Sequence, residues 1–206
     1  YEEDEWDSTR PKKEYFDDLA DKWDKITEHN EVKIKELIEL INLYPGAKVL
    51  DVGSGTGVLI PFIIPKIGNN GKLNCLDISE NMLFMAGKKF PNVLYPNIDF
   101  ICSDILNYEA EDRFNFIICY SSFPHFADKE GSIKKMASLL LKGGKLVIAH
   151  SQSRKDINNF HKQINGPVSN DFLPDDKELT SIFNKFSLKL TLSIDNEEEF
   201  IIVGEK

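Results

Sequence analysis

The stretch VLDVGSGTGVL, residues 49–59, carries the densest chemistry in the chain: an apolar strand-like run enters Gly53, Gly55 and Gly57 and passes straight into a helical pattern. Glycines at alternate positions let a backbone turn sharply and let a ligand approach with no Cβ in the way. Asp77 closes the next apolar run, about two dozen residues after Gly53, where a carboxylate can accept hydrogen bonds from both hydroxyls of a ribose. Asp104 closes the run after that and is followed by Ile105, which together offer an adenine ring an amino-group acceptor beside an apolar wall. A second role is open to the two acids, because Ser79 and Asp104 both precede helix-like or turn segments and such residues cap helix N-termini. The glycine spacing is GxGxG, with Val58 where a dinucleotide fingerprint places its third glycine, so NAD is disfavoured relative to other adenosyl cofactors.

The elements that must position these residues are legible from periodicity. Residues 14–28 (EYFDDLADKWDKITE) place Tyr15, Phe16, Leu19, Trp23 and Ile26 at helical spacing, predicting one amphipathic helix that covers a surface, and a second helix runs from about Val32 to Leu43 before Pro45-Gly46 stops it. Apolar runs at 47–52, 72–78, 98–104, 114–120 and 145–151 then alternate with helical patterns at 57–67, 80–89 and 129–141. Strands that are apolar at almost every position, separated by helix-length segments, predict a parallel sheet covered on both faces, an α/β doubly wound fold. Two further helices are expected over Arg154–Ile164 and Asp175–Phe186. LKLTLSI (188–194) and EFIIVGE (199–205), joined by only four polar residues, predict an antiparallel hairpin and hence a reversed strand at the end of the sheet.

Composition bounds the rest. The chain has 206 residues, 41% hydrophobic and 29% charged, enough to bury one core and short for two, and no repeat or linker divides it. A single domain, 1–206, is expected, with 1–30 as a cap region and 152–186 as substrate-side helices and loop. Net charge is −9, but residues 1–30 contribute −6 and 195–206 contribute −4, leaving a near-neutral body with no basic footprint for a phosphate backbone. Nucleic acid is disfavoured as a partner. No run reaches the roughly 18 apolar residues of a membrane helix, and the acidic N-terminus is unlike a signal peptide, so a cytoplasmic protein without a membrane partner is expected, as monomer or homodimer. The chain begins at Tyr1 and not at Met, as one whose start has been trimmed would. Cys75, Cys102 and Cys119 have no metal-type spacing and fall in strand-like runs, which predicts three buried hydrophobes.

With these motifs in place the chain resembles the class I S-adenosylmethionine-dependent methyltransferases, in particular the small-molecule branch that includes the ubiquinone and menaquinone biosynthesis enzymes. The resemblance rests on YFDDLADKWD as a cap helix, VLDVGSGTG, LNCLDISENML, ICSDI, FNFIICYSSFPHFAD after the fourth strand and LLKGGKLVIAH entering the fifth; Asn115 stands where the family usually has Asp. It implies a Rossmann-like seven-stranded sheet, mostly parallel, with S-adenosylmethionine as cofactor. By matching position, Asp51, Gly53, Ser54, Gly55 and Gly57 would hold its methionine part and Asp77 its ribose. Asp104, Ile78 and Ile105 would hold the adenine, with Met82 and Ser103 completing that set and Tyr120 and Ser121 lining the methyl-donor side. Asp18, Leu19, Ala20 and Trp23 would lie in a lid over the cofactor.

Methyl transfer implied in this way needs alignment, exclusion of water and, for a hydroxyl or amine acceptor, removal of a proton, for which a histidine is suited. His125, His150 and His161 follow the fourth or fifth strand, on the side where an acceptor belongs; His125 is the first candidate base or substrate contact, with His150 beside it. Arg154, one of only three arginines, lies just past the fifth strand and could pair with an acidic group of the substrate. Imidazoles also suit Zn or Ni, but nothing in the sequence fixes their mutual distances, and no metal is expected. YSSF after the fourth strand is unlike the N/D-P-P-Y/F of amino-methylating DNA enzymes, and there is no Pro-Cys nucleophile, so the acceptor expected is a small molecule. The competing classes are an NAD(P)-dependent oxidoreductase and a non-catalytic binder of adenosyl ligands.

Overall fold

The computed structural model describes residues 10–206; the first nine positions of the expected cap region lie outside the described residues. Seven strands form one sheet: β1 (Lys48–Val52), β2 (Lys72–Asp77), β3 (Ile98–Cys102), β4 (Phe114–Tyr120), β5 (Leu140–His150), β6 (Lys189–Asp195) and β7 (Phe200–Glu205), in the order β3-β2-β1-β4-β5-β7-β6. β1 to β5 are mutually parallel, while β7 runs antiparallel to both β5 and β6. The hairpin expected from the short acidic connection is therefore built, but its reversed strand inserts between β5 and β6 and does not form the edge. Strand order reverses between β1 and β4, and that switch point is where ligands of open α/β sheets bind.

The period-two alternation of the strands separates two cores. Leu50, Ile117, Cys119, Leu146 and Ile148 face α6 (Lys129–Leu139), α7 (Arg154–Gln163) and α8 (Asp176–Lys185), whose Ile133, Met136, Ile157 and Phe183 fill that layer. Val49, Cys75, Phe116, Ile118 and Val147 face the opposite layer, α3 (Glu31–Ile41), α4 (Ile60–Ile67) and α5 (Glu80–Lys89), through Ile34, Ile38, Ile63 and Leu83. Both faces are thus covered, which is why the strands read as continuous apolar runs.

Three expectations are corrected. The N-terminal helix is two pieces, α1 (Arg10–Leu19) and α2 (Trp23–Ile26), with buried Ala20 in the turn between them. The break follows from anchoring to different walls: Asp17 of α1 accepts from Ser79 Oγ at 2.6 Å, whereas Asp24 of α2 accepts from Thr56 Oγ1 at 2.5 Å and Lys89 Nζ at 2.8 Å. Cys102 is exposed, unlike buried Cys75 and Cys119, because it ends β3 at the open edge of the sheet. β5 begins at Leu140, five residues before the run predicted for it, because the C-terminal Lys206 pairs with Gly143 and Gly144 and draws them into the strand. Among the described residues no helix is long and apolar enough to cross a membrane.

Candidate functional site

The loops leaving the carboxyl ends of β1, β2, β3 and β4 converge on one cavity, with about 970 Å³ of empty space including its mouth, which α1 and α2 cover from above. Its floor is the glycine turn. Gly53 takes φ +74°, and a Cβ there would lie 2.3 Å from Ser122 Cβ, so glycine is what lets the loop after β4 press against the loop after β1. Ser122 Oγ seals that contact by donating to the Val52 carbonyl at 2.7 Å. We expect Gly53→Ala to lower unfolding free energy by about 2 kcal/mol through overpacking and a positive φ. Urea denaturation checks this, and the added Ser122→Gly change should recover part of the loss.

Gly55 is different in kind: at φ +54° its missing Cβ looks into the cavity, and among the described residues only Trp23 Nε1 comes within 4 Å, at 3.9 Å. Its N–H donates to Asp77 Oδ2 at 2.8 Å, while Asp77 Oδ1 accepts from the Ser79 N–H at 2.9 Å. A carboxylate has about four lone-pair positions, so Asp77 keeps room for two more donors. Burial raises its pKa to about 6, and the Ser79 and Gly55 amides hold it from rising further. Beneath the turn, burial and the Asp77 charge push Asp51 up to about 8, and Asp51 Oδ2 and Ser54 Oγ are buried without a hydrogen-bond partner among the described residues.

The far end is lined by Ile78, Met82, Ser103, Asp104 and Ile105. Asp104 Oδ1 caps the following turn by accepting from Leu106 N–H at 2.8 Å, so the capping role is realised, yet its other oxygen carries no protein hydrogen bond among the described residues. Asp77 does not cap; Ser79 does, accepting from Met82 N–H at 3.1 Å.

The near end is lined by Phe16, Trp23, His29, Tyr120, Ser121, His125 and Phe126. Ser121 holds φ +54° at the tip of β4, a left-handed conformation uncommon for a non-glycine residue. Tyr120 Oη and Ser151 Oγ are 2.7 Å apart, and the Tyr120 and His29 rings lie 5.8 Å apart. Burial lowers the His29 pKa, with Asp24 opposing it in part. His125 stands in the 3₁₀ turn Phe123–His125, its ring edge-on to Phe16 at 5.2 Å, and its Nδ1 lies 2.8 Å from Asp171 Oδ2.

Of the residues expected from sequence, Gly53, Ser54, Gly55, Asp77, Ile78, Met82, Ser103, Asp104, Ile105, Tyr120, Ser121 and His125 meet in this cavity. Four do not. Asp51 and Gly57 support the turn from behind and below and leave the lining to Ser54, Gly55 and Thr56. His150, at the inner end of β5, is 6% exposed behind His125 and His161, with Nε2 unpartnered among the described residues; burial and then the neighbouring imidazoles lower its pKa to about 3. Arg154 pairs with Asp195 on the adjacent hairpin at 2.9 Å, away from the cavity, because the chain turns outward at Ser153 to start α7. Of the lid residues Trp23 lines the cavity, while Asp18, Leu19 and Ala20 do not. The sequence reading missed Lys12, Phe16, His29, Ser122 and Asp171. Phe16 and Trp23 shared a helical stripe that pointed to them; nothing local marked Asp171, which reaches His125 across 46 residues. Among the described residues no group of three or more His, Cys, Asp or Glu side chains is placed to hold a metal ion.

Comparison with known proteins bears on the same region. The methyltransferase domain family matches residues 43–186. The malonyl-[acyl-carrier protein] O-methyltransferase 1 of Ilyobacter polytropus is 33% identical over 101 residues, covering 49% of this chain and 37% of that protein. The demethylmenaquinone methyltransferase of Bacillus mycoides is 25% identical over 138 residues, covering 64% of this chain and 58% of that protein. The chain thus spans between about a third and three fifths of the length of these curated relatives. In fold it is similar to the magnesium protoporphyrin IX methyltransferase of Synechocystis with bound SAM, with TM-score 0.72 at 18% identity over 98% of this chain and 99% of that one. A SAM-dependent methyltransferase from Aquifex aeolicus gives TM-score 0.70 at 16% identity, over 97% and 98%. The family match begins just before the strand that feeds the glycine turn and ends just after α8, so it takes in the whole floor of the cavity, and the chain belongs to the methyltransferase domain family.

Proposed function

We propose that this chain transfers a methyl group from S-adenosylmethionine to a small-molecule nucleophile. The observation that carries the reading is one cavity joining three features: a Cβ-free wall at Gly55, a carboxylate with free acceptor positions at Asp77, and an acid beside apolar side chains at Asp104 and Ile105. The residues present fit the cofactor. Gly55, whose missing Cβ leaves the turn open to the cavity, gives the amino-acid end room against the backbone of residues 53–55. Asp77 would take the ribose hydroxyls, and the free oxygen of Asp104 the adenine amino group between Ile78 and Ile105. When bound, the cofactor supplies an already activated sulfonium methyl.

What the chain's own residues do is position and enclose. Phe16 and Trp23 roof the near end and exclude water, while Tyr120 and Ser121 form the wall in front of the glycine turn. Alignment alone supplies much of the barrier reduction in such a displacement. The near end is walled by aromatic side chains, as suits a small organic acceptor, and the acidic charge of the chain argues against nucleic acid. We place the protein in the cytoplasm as a single-domain monomer or homodimer. The missing third glycine at Val58 and the adenine-side Asp104 weigh against an NAD(P)-dependent oxidoreductase.

Calorimetry with S-adenosylhomocysteine and NADH tests the reading: binding of the first and not the second is expected, and the reverse overturns it. The affinity also carries a pH signature. Above about 6 Asp77 is ionised and accepts from two hydroxyls; below it the carboxyl is protonated and one acceptor position is lost. Affinity is therefore expected to fall as pH drops from 7.5 to 5, checked by the same titration at both ends, and a flat profile would remove Asp77 from the ribose site.

A further inference from the structure

Near the cavity mouth a chain of contacts joins three distant segments. Asp171, on the connection between α7 and α8, is 6% exposed and holds His125 Nδ1 at 2.8 Å through Oδ2 and Lys12 Nζ at 2.6 Å through Oδ1. Lys12, from α1, also donates to the His125 carbonyl at 2.9 Å, and the His161 Nδ1–H donates to the Asp171 carbonyl, fixing the segment that carries the carboxylate. Burial alone would favour a neutral Asp171, but the hydrogen bonds from His125 and Lys12 outweigh it and keep the carboxyl below its usual range. An ionised carboxylate accepts only, so His125 Nδ1 must carry the proton. Nε2 is then the lone-pair nitrogen on a ring that lines the acceptor end of the cavity.

We propose that His125 is the general base of the reaction, set in its working tautomer by Asp171 as a positioning residue, and that the methyl acceptor is a neutral hydroxyl or amine. This rests on the methyl-transfer reading above and narrows its substrate class. For a hydroxyl, the O–H bond breaks as its proton moves to Nε2 and the freed electron pair forms the bond to the methyl carbon; for an amine, the nitrogen lone pair forms that bond and the N–H proton then passes to Nε2. In both cases the carbon–sulfur bond breaks with its electrons remaining on sulfur. Among the described residues, the charged or titratable groups facing His125 are Lys12 from α1, Asp171, His161 from α7, His150 from β5 and Lys129 at the start of α6, which donates to the carbonyls of Pro124 and Phe126 on either side. Of these Asp171 alone is anionic and in hydrogen-bond contact with the ring.

The contact with Lys12 makes the test specific. Lysine can only donate, so in Asp171→Asn it takes the single amide oxygen and leaves the NH₂ facing Nδ1, forcing the proton to Nε2. Nitrogen-15 NMR of the imidazoles in the apo protein, with His125→Gln for assignment, is expected to show neutral His125 protonated at Nδ1 in the wild type and at Nε2 in Asp171→Asn. Adding Lys12→Met frees the amide to turn its oxygen to Nδ1 and should restore the first tautomer. An unchanged tautomer in Asp171→Asn overturns the assignment. Homocysteine release is then followed with S-adenosylmethionine and a panel of simple phenols, alcohols, amines and thiols. Phenols or amines should be methylated, about 100-fold more slowly by His125→Gln and Asp171→Asn, the usual scale of a general base, with S-adenosylhomocysteine affinity unchanged. The double variant should be faster than Asp171→Asn. Full rates in His125→Gln, methylation confined to thiols, or a silent panel from protein that binds S-adenosylhomocysteine each overturn the proposal. Failure of the wild type to bind S-adenosylhomocysteine sinks the methyl-transfer reading instead and leaves the tautomer result standing.

Discussion

Asp77→Asn is expected to weaken S-adenosylhomocysteine binding by two or more orders of magnitude. A hydrogen bond to a charged group contributes about 1.5–3 kcal/mol, and two ribose hydroxyls would lose their shared anionic acceptor together. The loss is compounded within the protein. Asp77 accepts from the Gly55 and Ser79 amides on its two oxygens, and an asparagine has one oxygen, so its NH₂ must face one of those amides. The glycine turn and the start of α5 then move apart at the point where the ribose is held. Calorimetry checks the result, beside a thermal melt showing that the fold persists. Affinity within about threefold of wild type, roughly 0.6 kcal/mol, would show that the carboxylate does not hold the ligand.

The second large effect is on acid stability and comes from His150. Its ring is buried, with Nε2 unpartnered among the described residues, and burial lowers its pKa in the fold to about 3 against an ordinary 6.5. A histidine held neutral in this way binds its proton more readily in the unfolded chain. The stability tied to it is complete above pH 6.5 and is lost as pH falls from there toward 3. Each pH unit in that window corresponds to about 1.4 kcal/mol, so on the order of 2–3 kcal/mol separates neutral pH from about pH 4.5. His150→Phe, which keeps a ring and removes the titration, should flatten the acid side of the stability profile by that amount in urea melts. Parallel profiles would mean that water reaches the imidazole. Asp51 and Asp77, with raised pKa values, act with the opposite sign, which is why the difference between the two proteins, and not the wild-type slope, carries the information.

What the sequence disclosed and what it withheld divide along the range of the interactions involved. Gly53, Gly55, Asp77 and Asp104 were legible because each is tied to the end of a strand, and the continuous apolar runs set those strands in a sheet covered on both faces. Val49 and Leu50, adjacent in the chain, already point into different cores, as the alternation required. The split of the N-terminal helix was not legible, because the stripe from Tyr15 to Ile26 favours one helix and only the ties of Asp17 and Asp24 to separate walls break it. Arg154 and His150 were placed near the chemistry by sequence distance alone. In three dimensions one turns outward to Asp195 and the other is sealed behind the cavity. Asp171 left no trace at all, since an acid in a loop between helices looks the same whether it meets solvent or a histidine 46 residues away.

The roof of the cavity contributes none of its α1 side chains to the buried core and is held at the rim by ionic and hydroxyl ties. Lifting it would uncover only the half-buried face of Tyr15, Phe16, Leu19 and Trp23 and would exchange those ties for water, so opening costs less than global unfolding. Lys12 is one of these ties and also steadies the carboxylate that orients His125. On the reading proposed above, a half-open molecule would lose the Lys12 tie to Asp171 at the same moment that it admits water, which would guard the reagent against wasteful discharge.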